Sequence, residues 1–167
     1  MYNLIMRIHS FEPIVNSECR IIILGSIPGI ESLRKQEYYG HPQNKFWDVL
    51  YGVFKEKPDN EYSLKKLFLL NHGIALWDVI KSCERKGSAD SAIKNIKLND
   101  FYSLFTENPR IKCIFFNGRA AENIFKKNFS FPDITSIYLG STSPAHAVAI
   151  KERICDWSVI PKRLLNE

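Results

Sequence analysis

Hydrogen-bonding and aromatic side chains are concentrated in one polar stretch, residues 36–44, with the sequence QEYYGHPQN. Asn44 carries an amide that both donates and accepts, so it can orient a water molecule without becoming charged. His41 could hydrogen-bond a ligand, and Tyr38 and Tyr39 could stack on one. The alternatives are an N-cap role for Asn44 and an ordinary surface position for His41. The stretch is too rich in such groups for a simple linker.

Glycine-containing loops follow two of the predicted strands. The segment Arg20 to Leu24 holds four consecutive aliphatic residues and predicts a buried strand, which runs into GSIPG at residues 25–29. The second loop, residues 140–147, reads GSTSPAHA. Glycine lets a backbone approach a ligand closely. Both loops are therefore candidates for the walls of a binding site.

The spacing of apolar residues predicts alternating strands and helices. We expect strands at 20–24, 74–80, 111–116 and 134–139, and helices at 45–54, 64–72, 98–106 and 119–129. A last helix carries Ile150, Ile154 and Trp157 and is interrupted by Pro161. Residues 1–19 form a lead-in with a short edge element, and 81–91 a polar loop. The fold class is therefore α/β, a three-layer sandwich with a central parallel four-stranded sheet. Loops that follow parallel strands gather at their carboxyl edge, where a cleft forms.

Composition limits the class of protein. The 167 residues suit one domain, 1–167, and the net charge of +5 permits a polyanionic partner, although a mildly basic protein without such a partner is the alternative. The four cysteines form no CxxC pair, so we expect neither a zinc nor an iron–sulfur site, and reduced thiols in a cytosolic compartment. No run resembles a signal peptide or a membrane span.

Two motifs resemble those of a known family. GSIPG resembles the first motif of the uracil-DNA glycosylase superfamily, and STSPA at residues 141–145 resembles the second. The run GSIPGIESLRKQEYYGHPQNKFW, residues 25–47, is similar to the hypoxanthine-DNA (deoxyinosine) glycosylase branch, family 6. The resemblance covers residues 20–157. It implies a uracil-DNA glycosylase-like fold and a monofunctional, metal-free and cofactor-free enzyme of base-excision repair, which flips a deaminated nucleotide out of double-stranded DNA and hydrolyses its glycosidic bond.

Two departures from the wider superfamily bear on catalysis. Most branches carry Asp or Asn at the third position of the first motif, where this chain has Ile27, which cannot hold water. The resemblance to the deoxyinosine branch implies that Asn44 of the HPQN element places the water instead, with His41 nearby. The second motif begins with Ser141 where several branches have His or Asn to stabilise the leaving base. The expected catalytic residues are Asn44, Ser141 and His41.

Base recognition is expected from the ends of the first two strands and the polar stretch. Asp78 stands where the superfamily usually has an asparagine that reads uracil; a carboxylate only accepts, which suits the N1–H of hypoxanthine. The alternative for Asp78 is a cap of the turn after the strand. Phe46 and Tyr39 are candidates to contact the base, although Phe46 also fits the core. The expected base-binding residues are Gly25, Ser26, Ile27, Tyr39, Phe46 and Asp78.

The DNA backbone is expected to lie along three loops. Ser143 and Pro144 would hold a phosphate, with an N-cap role as the alternative for Ser143, while Ala145 and His146 occupy the place of the wedge that enters the base stack. The basic loop with Arg85 and Lys86 contacts phosphate or is simply a solvated surface. The expected DNA-binding residues are Pro28, Gly29, Arg85, Lys86, Ser143, Pro144, Ala145 and His146.

Three other functions remain open from the sequence alone. The nearest is excision of uracil by the same class of enzyme, and the second is a catalytically silent module that binds nucleic acid. The third is a small-molecule hydrolase with Ser26 as nucleophile, which lacks the GxSxG elbow. We expect a monomer that is cytoplasmic, or nucleoid-associated if the source is prokaryotic, with no membrane association.

Overall fold

The computed structural model describes residues 5–166 of the chain. Its elements are, in chain order, β1 Met6–His9, β2 Ile21–Gly25, α1 Ile30–Lys35, α2 Phe46–Val53, α3 Tyr62–Asn71, β3 Ile74–Asp78, β4 Ile80–Arg85, β5 Lys94–Leu98, α4 Phe101–Glu107, β6 Cys113–Asn117, α5 Arg119–Asn128, β7 Thr135–Leu139, α6 Ile150–Trp157 and α7 Val159–Asn166.

The central sheet has four parallel strands in the order β3-β2-β6-β7. Strand β2 is buried along its whole length, as its aliphatic run requires when helices cover both faces of a sheet. Gly25 at the end of β2 lies opposite Asp78 at the end of β3. The predicted α/β architecture with a central four-stranded parallel sheet is confirmed.

A second, antiparallel sheet in the order β1-β4-β5 was not predicted. Its middle strand β4 occupies the first half of the expected polar loop 81–91. Ile80 and Cys83 of β4 are buried against Ile8 and Ile27 in a small separate core, so a polar sequence becomes a strand by long-range pairing. Strand β5 is mostly exposed and carries two lysines, as is common for the edge of a sheet.

The helices differ from the sequence-based prediction at three places in particular. Helix α1 was not foreseen. Helix α4 begins at Phe101 and not at Leu98, because Asp100 caps it by accepting a hydrogen bond from the Ser103 N–H at 3.0 Å. The last helical segment breaks at Ser158, and Pro161 lies in the first turn of α7, where its missing N–H is not needed.

The loops after β2, β3, β6 and β7 leave the carboxyl edge of the central sheet together, as the parallel arrangement requires. The loop after β2 is the longest and contains α1 and the polar stretch 36–44. It is joined to the loop after β7 by a backbone hydrogen bond from the Lys45 N–H to the Thr142 carbonyl at 3.1 Å. This edge of the sheet holds the site described next. None of the helices within 5–166 is both long enough and apolar enough to cross a membrane.

Candidate active site

A cavity of about 460 Å³ opens at the carboxyl edge of the central sheet. Its size lies in the range of ligand pockets, which is about 300–1,000 Å³. Three loops and three strand ends form its walls. The residues that the sequence singled out and that line it are Gly25, Ser26, Ile27, Pro28, Gly29, Tyr38, Tyr39, His41, Asn44, Asp78, Ser141, Ser143, Pro144 and Ala145.

Asp78 forms the floor of the cavity. The side chain is only 4% exposed, and its Oδ2 atom has no hydrogen-bond partner among residues 5–166. The pKa of this carboxyl is raised to about 7, chiefly by burial and in smaller part by the negative charge of Asp90, while the Arg85 guanidinium acts in the opposite direction. The alternative role of Asp78 as a turn cap is not realised. A buried carboxyl with a raised pKa and an unpartnered oxygen, at the base of a cavity, is a candidate functional residue.

Tyr39 stands beside Asp78 and is held by its backbone and its ring. Its φ of 54° lies in the left-handed region, which costs a residue with a side chain about 1–3 kcal/mol. Its ring stacks on Phe46 at a centroid distance of 3.9 Å. The hydroxyl is buried, and although Asn117 lies near it, no described group meets hydrogen-bond geometry with it. A strained, buried phenol with an unused hydroxyl is typical of a binding site.

Phe46 does not contact the cavity. It is fully buried, packs edge-on against Trp47 and Trp157, and supports the far side of the Tyr39 ring. The expected base contact for Phe46 is therefore wrong. The position follows from the helix: Phe46 is the first residue of α2 and faces the core, as its helical spacing also allowed.

Gly25 leaves the space between Asp78 and Tyr39 open. A Cβ atom at this position would lie 2.7 Å from the Asp78 Oδ1 atom and 2.7 Å from the Tyr39 hydroxyl oxygen. Real Cβ atoms do not approach other atoms so closely, so both side chains would have to move. The glycine thus keeps two polar groups converging on one point of the cavity.

We expect Gly25→Ala to lower kcat/KM of the base-excision activity that the sequence resemblance implies, about ten- to hundredfold, while the protein stays folded. The methyl group displaces Asp78 and Tyr39, and overpacking of this kind costs about 1–3 kcal/mol. Steady-state kinetics on a duplex substrate measure kcat/KM, and a thermal melt of the variant shows whether it is folded. Unchanged kcat/KM would show that a ligand does not use the space beside Gly25.

Asn44 lines the cavity and directly precedes Lys45, the N-cap residue of α2. Its Oδ1 atom accepts a hydrogen bond from the Phe46 N–H at 2.9 Å, which leaves the second lone pair and both amide hydrogens without partners in the described chain. The N-cap position that was the alternative for Asn44 is thus held by Lys45, and Asn44 instead accepts from the first N–H of the helix. His41 is exposed at the cavity rim, where its Nδ1 atom accepts from the Gln43 N–H at 3.1 Å.

The loop after β7 is ordered by its own hydroxyl groups. The Ser141 Oγ atom accepts from the Ser143 N–H at 3.1 Å, and the Ser143 Oγ atom from the Ala145 N–H at 3.3 Å. Ser143 is therefore not the N-cap of α6, which begins at Ile150 after Ala149. Each hydroxyl keeps its hydrogen for another acceptor. His146 lies outside the main cavity and lines a neighbouring one of about 300 Å³.

Asn117 is a cavity residue that the sequence analysis did not select. Its amide holds Thr142 at both ends: Nδ2 donates to the Thr142 hydroxyl at 2.9 Å, and Oδ1 accepts from the Thr142 N–H at 3.0 Å. Asn117 thereby fixes the loop after β7 to the end of β6. The pair Asn117-Gly118 after a predicted strand was the available signal, because Asn-Gly after a buried strand marks a turn at the functional edge.

The loop after β4 forms the remaining wall of the cavity. Arg85, the last residue of β4, does not lie where the sequence analysis expected it. Arg85 is 2% exposed and donates to the carbonyls of Pro28 at 2.6 Å and Gly87 at 2.7 Å. The expected phosphate contact of Arg85 is therefore wrong, because the guanidinium holds the GSIPG loop from inside. Lys86 is exposed, as a phosphate contact requires.

Ser88 and Asp90 close this wall and were also not selected from the sequence. The Ser26 hydroxyl donates to the Asp90 carboxylate at 2.8 Å, and the Ile30 N–H donates to the Ser88 hydroxyl at 3.0 Å. Ser26 is thus engaged with a carboxylate. Within 5–166 no cluster of three or more His, Cys, Asp or Glu side chains is placed to hold a metal ion.

A sequence profile described as the Uracil DNA glycosylase superfamily matches residues 12–161. The chain belongs to this superfamily. Two curated relatives have similar sequences throughout. One, from Methanosarcina barkeri, is 35% identical over 95% of this chain and 100% of its own length; the other, from Methanosarcina acetivorans, is 36% identical over 90% and 95%. Both are named hypoxanthine DNA glycosylase.

A solved structure extends the superfamily assignment to the fold. It is a solution NMR structure from Methanosarcina acetivorans, described as a candidate uracil DNA glycosylase. It superposes with a TM-score of 0.81 at 35% identity, over 96% of this chain and 99% of that one. The superfamily resemblance read from GSIPG and STSPA is therefore confirmed, and so is the uracil-DNA glycosylase-like fold.

Proposed function

We propose that this protein removes deaminated bases from DNA, preferably hypoxanthine, by hydrolysing the N-glycosidic bond of a nucleotide flipped into the main cavity. That it is a DNA glycosylase follows from its superfamily membership. The preference for hypoxanthine is supported by two relatives that carry this activity in their names and match nearly the whole chain.

One observation carries the proposal: Asn44, from the polar stretch, and Asp78, from the end of β3, line the same cavity. Hydrolysis of a glycosidic bond needs a placed water and a pocket for the leaving base, as positive charge develops on the sugar. The free lone pair and hydrogens of the Asn44 amide can orient the water. The buried Asp78 side chain can bind the base.

Ser141 and His41 would assist at the rim of the cavity. The Ser141 hydroxyl accepts one hydrogen bond from within its loop and can donate its hydrogen to the departing base. His41 accepts through Nδ1, so its Nε2–H can donate to the base or the water. These contacts need no metal or cofactor. Ile27, which is buried, leaves the placement of water to Asn44.

Double-stranded DNA would lie across the loops that surround the cavity. Ser143, Pro144 and Gly29 line its mouth, and Lys86 adds an exposed positive charge beside it. Extruding a base costs a few kcal/mol, least for a mispaired one. The exposed Ala145 and His146 are placed on the loop that would enter the gap. We expect the protein to act as a monomer in the compartment that holds the DNA.

Excision of uracil is the second candidate function, and the position of Asp78 on the cavity floor supports it. Uracil and hypoxanthine both present a ring N–H beside a carbonyl oxygen, so Asp78 can meet the same edge in either. The candidate uracil DNA glycosylase from Methanosarcina acetivorans shares the fold.

A base-release assay with hypoxanthine, uracil and xanthine in labelled duplexes tests the proposal. We expect alkali-labile sites with hypoxanthine in excess over uracil, in buffer with EDTA. An unmodified duplex is the control for nonspecific cleavage. DNA binding without release of any of the three bases would instead support the catalytically silent module.

A further inference from the structure

The acidic group on the floor of the cavity, Asp78, forms no ion pair with any side chain among residues 5–166. The charged side chains that act on Asp78 are Asp90, in the loop after β4, and Arg85, in β4 itself. The Arg85 guanidinium directs Nε and one NH2 group at backbone carbonyls, and it forms no ion pair with Asp78. The phenols of Tyr38, Tyr39 and Tyr62 are the other titratable groups affected by the Asp78 charge, and His41 lines the same cavity.

An ionised Asp78 would therefore be a buried charge beside another negative charge, and the neutral form is favoured in its place. Burial in a low-dielectric site disfavours the charged form of a carboxyl, and a nearby like charge does the same. Asp78 has both conditions, being 4% exposed with Asp90 as neighbour. Its Oδ2 atom, which has no described partner, is the place where a proton can reside.

Resting on the proposed glycosylase function, we propose that Asp78 binds the base as a neutral carboxylic acid. Its O–H donates to the carbonyl oxygen of the base and its C=O accepts the neighbouring ring N–H, so that two hydrogen bonds close a ring with the lactam edge. The ligand class is thus a lactam-bearing base, such as hypoxanthine or uracil. A neutral acid presents the same donor and acceptor as the asparagine amide that resemblance to the superfamily would place here.

Protonation of Asp78 changes what the residue does to the leaving base. The base gains negative charge as the glycosidic bond breaks, and a carboxylate on its edge would oppose this charge, whereas a donated O–H stabilises it. No proton needs to be transferred. The sequence-based interpretation, which treated Asp78 as an acceptor only, is revised accordingly.

Tyr39 supplies a second donor, beside the Asp78 Oδ1 atom. Its hydroxyl oxygen and the Asp78 Oδ1 atom each lie 2.7 Å from the position that a Cβ on Gly25 would occupy, so both groups converge on one small volume. Burial and the Asp78 charge raise the pKa of Tyr39, which keeps the phenol protonated and able to donate. The phenol can therefore donate to an acceptor of a base whose ring N–H faces the Asp78 Oδ1 atom.

Binding of the free base hypoxanthine, measured by calorimetry between pH 6 and pH 8, tests the proposal without DNA or turnover. We expect the affinity of the unsubstituted protein to fall about tenfold across this range, because Asp78 loses its proton near pH 7. Asp78→Asn cannot titrate and should bind with an affinity that changes less than about twofold. The same base is titrated in both proteins, so the comparison isolates Asp78.

A second ligand, matched to hypoxanthine except at the ring N–H, tests the proposed pair of hydrogen bonds. 1-Methylhypoxanthine keeps the carbonyl oxygen and lacks the ring N–H, and we expect it to bind at least tenfold more weakly than hypoxanthine at pH 6. Equal affinity for the two bases, no binding of hypoxanthine at pH 6, or affinity that holds or rises with pH would each overturn the proposal. Failure of the base-release assay alongside the expected pH dependence would refute the glycosylase function and leave the Asp78 assignment standing.

Asp90→Asn gives an independent readout if Asp78→Asn does not fold. The asparagine keeps an oxygen that can accept from the Ser26 hydroxyl but removes the charge that raises the Asp78 pKa. We expect the midpoint of the hypoxanthine-binding curve to move to lower pH. An unmoved midpoint would assign the titration to another group and overturn the proposal.

Discussion

Replacing Asn44 by alanine is expected to reduce kcat for base excision by about 10²–10⁴-fold, the usual contribution of a side chain that positions or activates a reacting group. The amide is the polar side chain of the HPQN element that lines the cavity with unused hydrogen-bonding capacity, and Ile27 cannot replace it. DNA affinity should change little, because the neighbouring loops carry the expected phosphate contacts. Single-turnover kinetics and a DNA-binding titration measure the two quantities separately.

The hydrogen bond that Asn44 accepts at the start of α2 must be separated from its proposed role in catalysis. Loss of the hydrogen bond to the Phe46 N–H costs about 1 kcal/mol and will lower the melting temperature slightly. Asn44→Ser keeps a capping oxygen but lacks the amide, so it should recover stability and remain as slow as the alanine variant. Asn60→Ala removes an exposed amide away from the cavity and serves as the surface control. Turnover near the unsubstituted level in Asn44→Ala would remove this residue from the mechanism.

The central sheet could be predicted because the residue patterns that indicate its strands lie within short stretches of the sequence. Residues 21–24 form an unbroken aliphatic run that is buried on both faces, and Gly25 ends it abruptly. Strands β3 and β6 are likewise apolar and almost wholly buried, and the alternation of strands with helices predicts the parallel order and the edge where polar loops meet. Most of the cavity residues follow from that edge alone, before any contact is known.

The second sheet and the role of Arg85 could not be predicted because they depend on contacts distant in sequence. Strand β4 reads KSCER over most of its length, which is polar, yet it pairs with β1 about 75 residues earlier. Once paired, Arg85 points inward and finds the Pro28 carbonyl, 57 positions away in the chain. Nothing in the local sequence distinguishes such an arginine from one that lies on the surface.

The Asp78 environment is the clearest case of a property that only three dimensions reveal. The sequence placed an aspartate at the end of a strand and suggested an acceptor of hydrogen bonds. Its neighbour Arg85 lies in β4, Asp90 in the loop after β4, and Tyr39 in the polar stretch. The balance of burial and charge that sets its protonation therefore depends on how these segments meet.

Asp78→Asn is expected to stabilise the folded protein at pH 8 by up to about 4 kcal/mol. The folded carboxyl has a pKa of about 7, above its ordinary value of 3.8, so between these two pH values the folded state keeps a proton that the unfolded state has lost. The free energy of unfolding therefore falls as pH rises through this window, by at most about 1.4 kcal/mol per pH unit, and levels off above it. Urea denaturation from pH 4 to pH 8 measures the curve.

The difference between the two proteins isolates Asp78, since every other titrating group is shared. The asparagine variant should be about as stable as the unsubstituted protein near pH 4 and more stable at pH 8, whereas Asp133→Asn, an exposed aspartate outside the cavity, should leave the curve unchanged. Parallel curves for the unsubstituted and Asp78→Asn proteins would mean that Asp78 ionises normally. A stability gain at this position would have a functional meaning: the fold tolerates a destabilising acid on the cavity floor because its neutral form recognises the base.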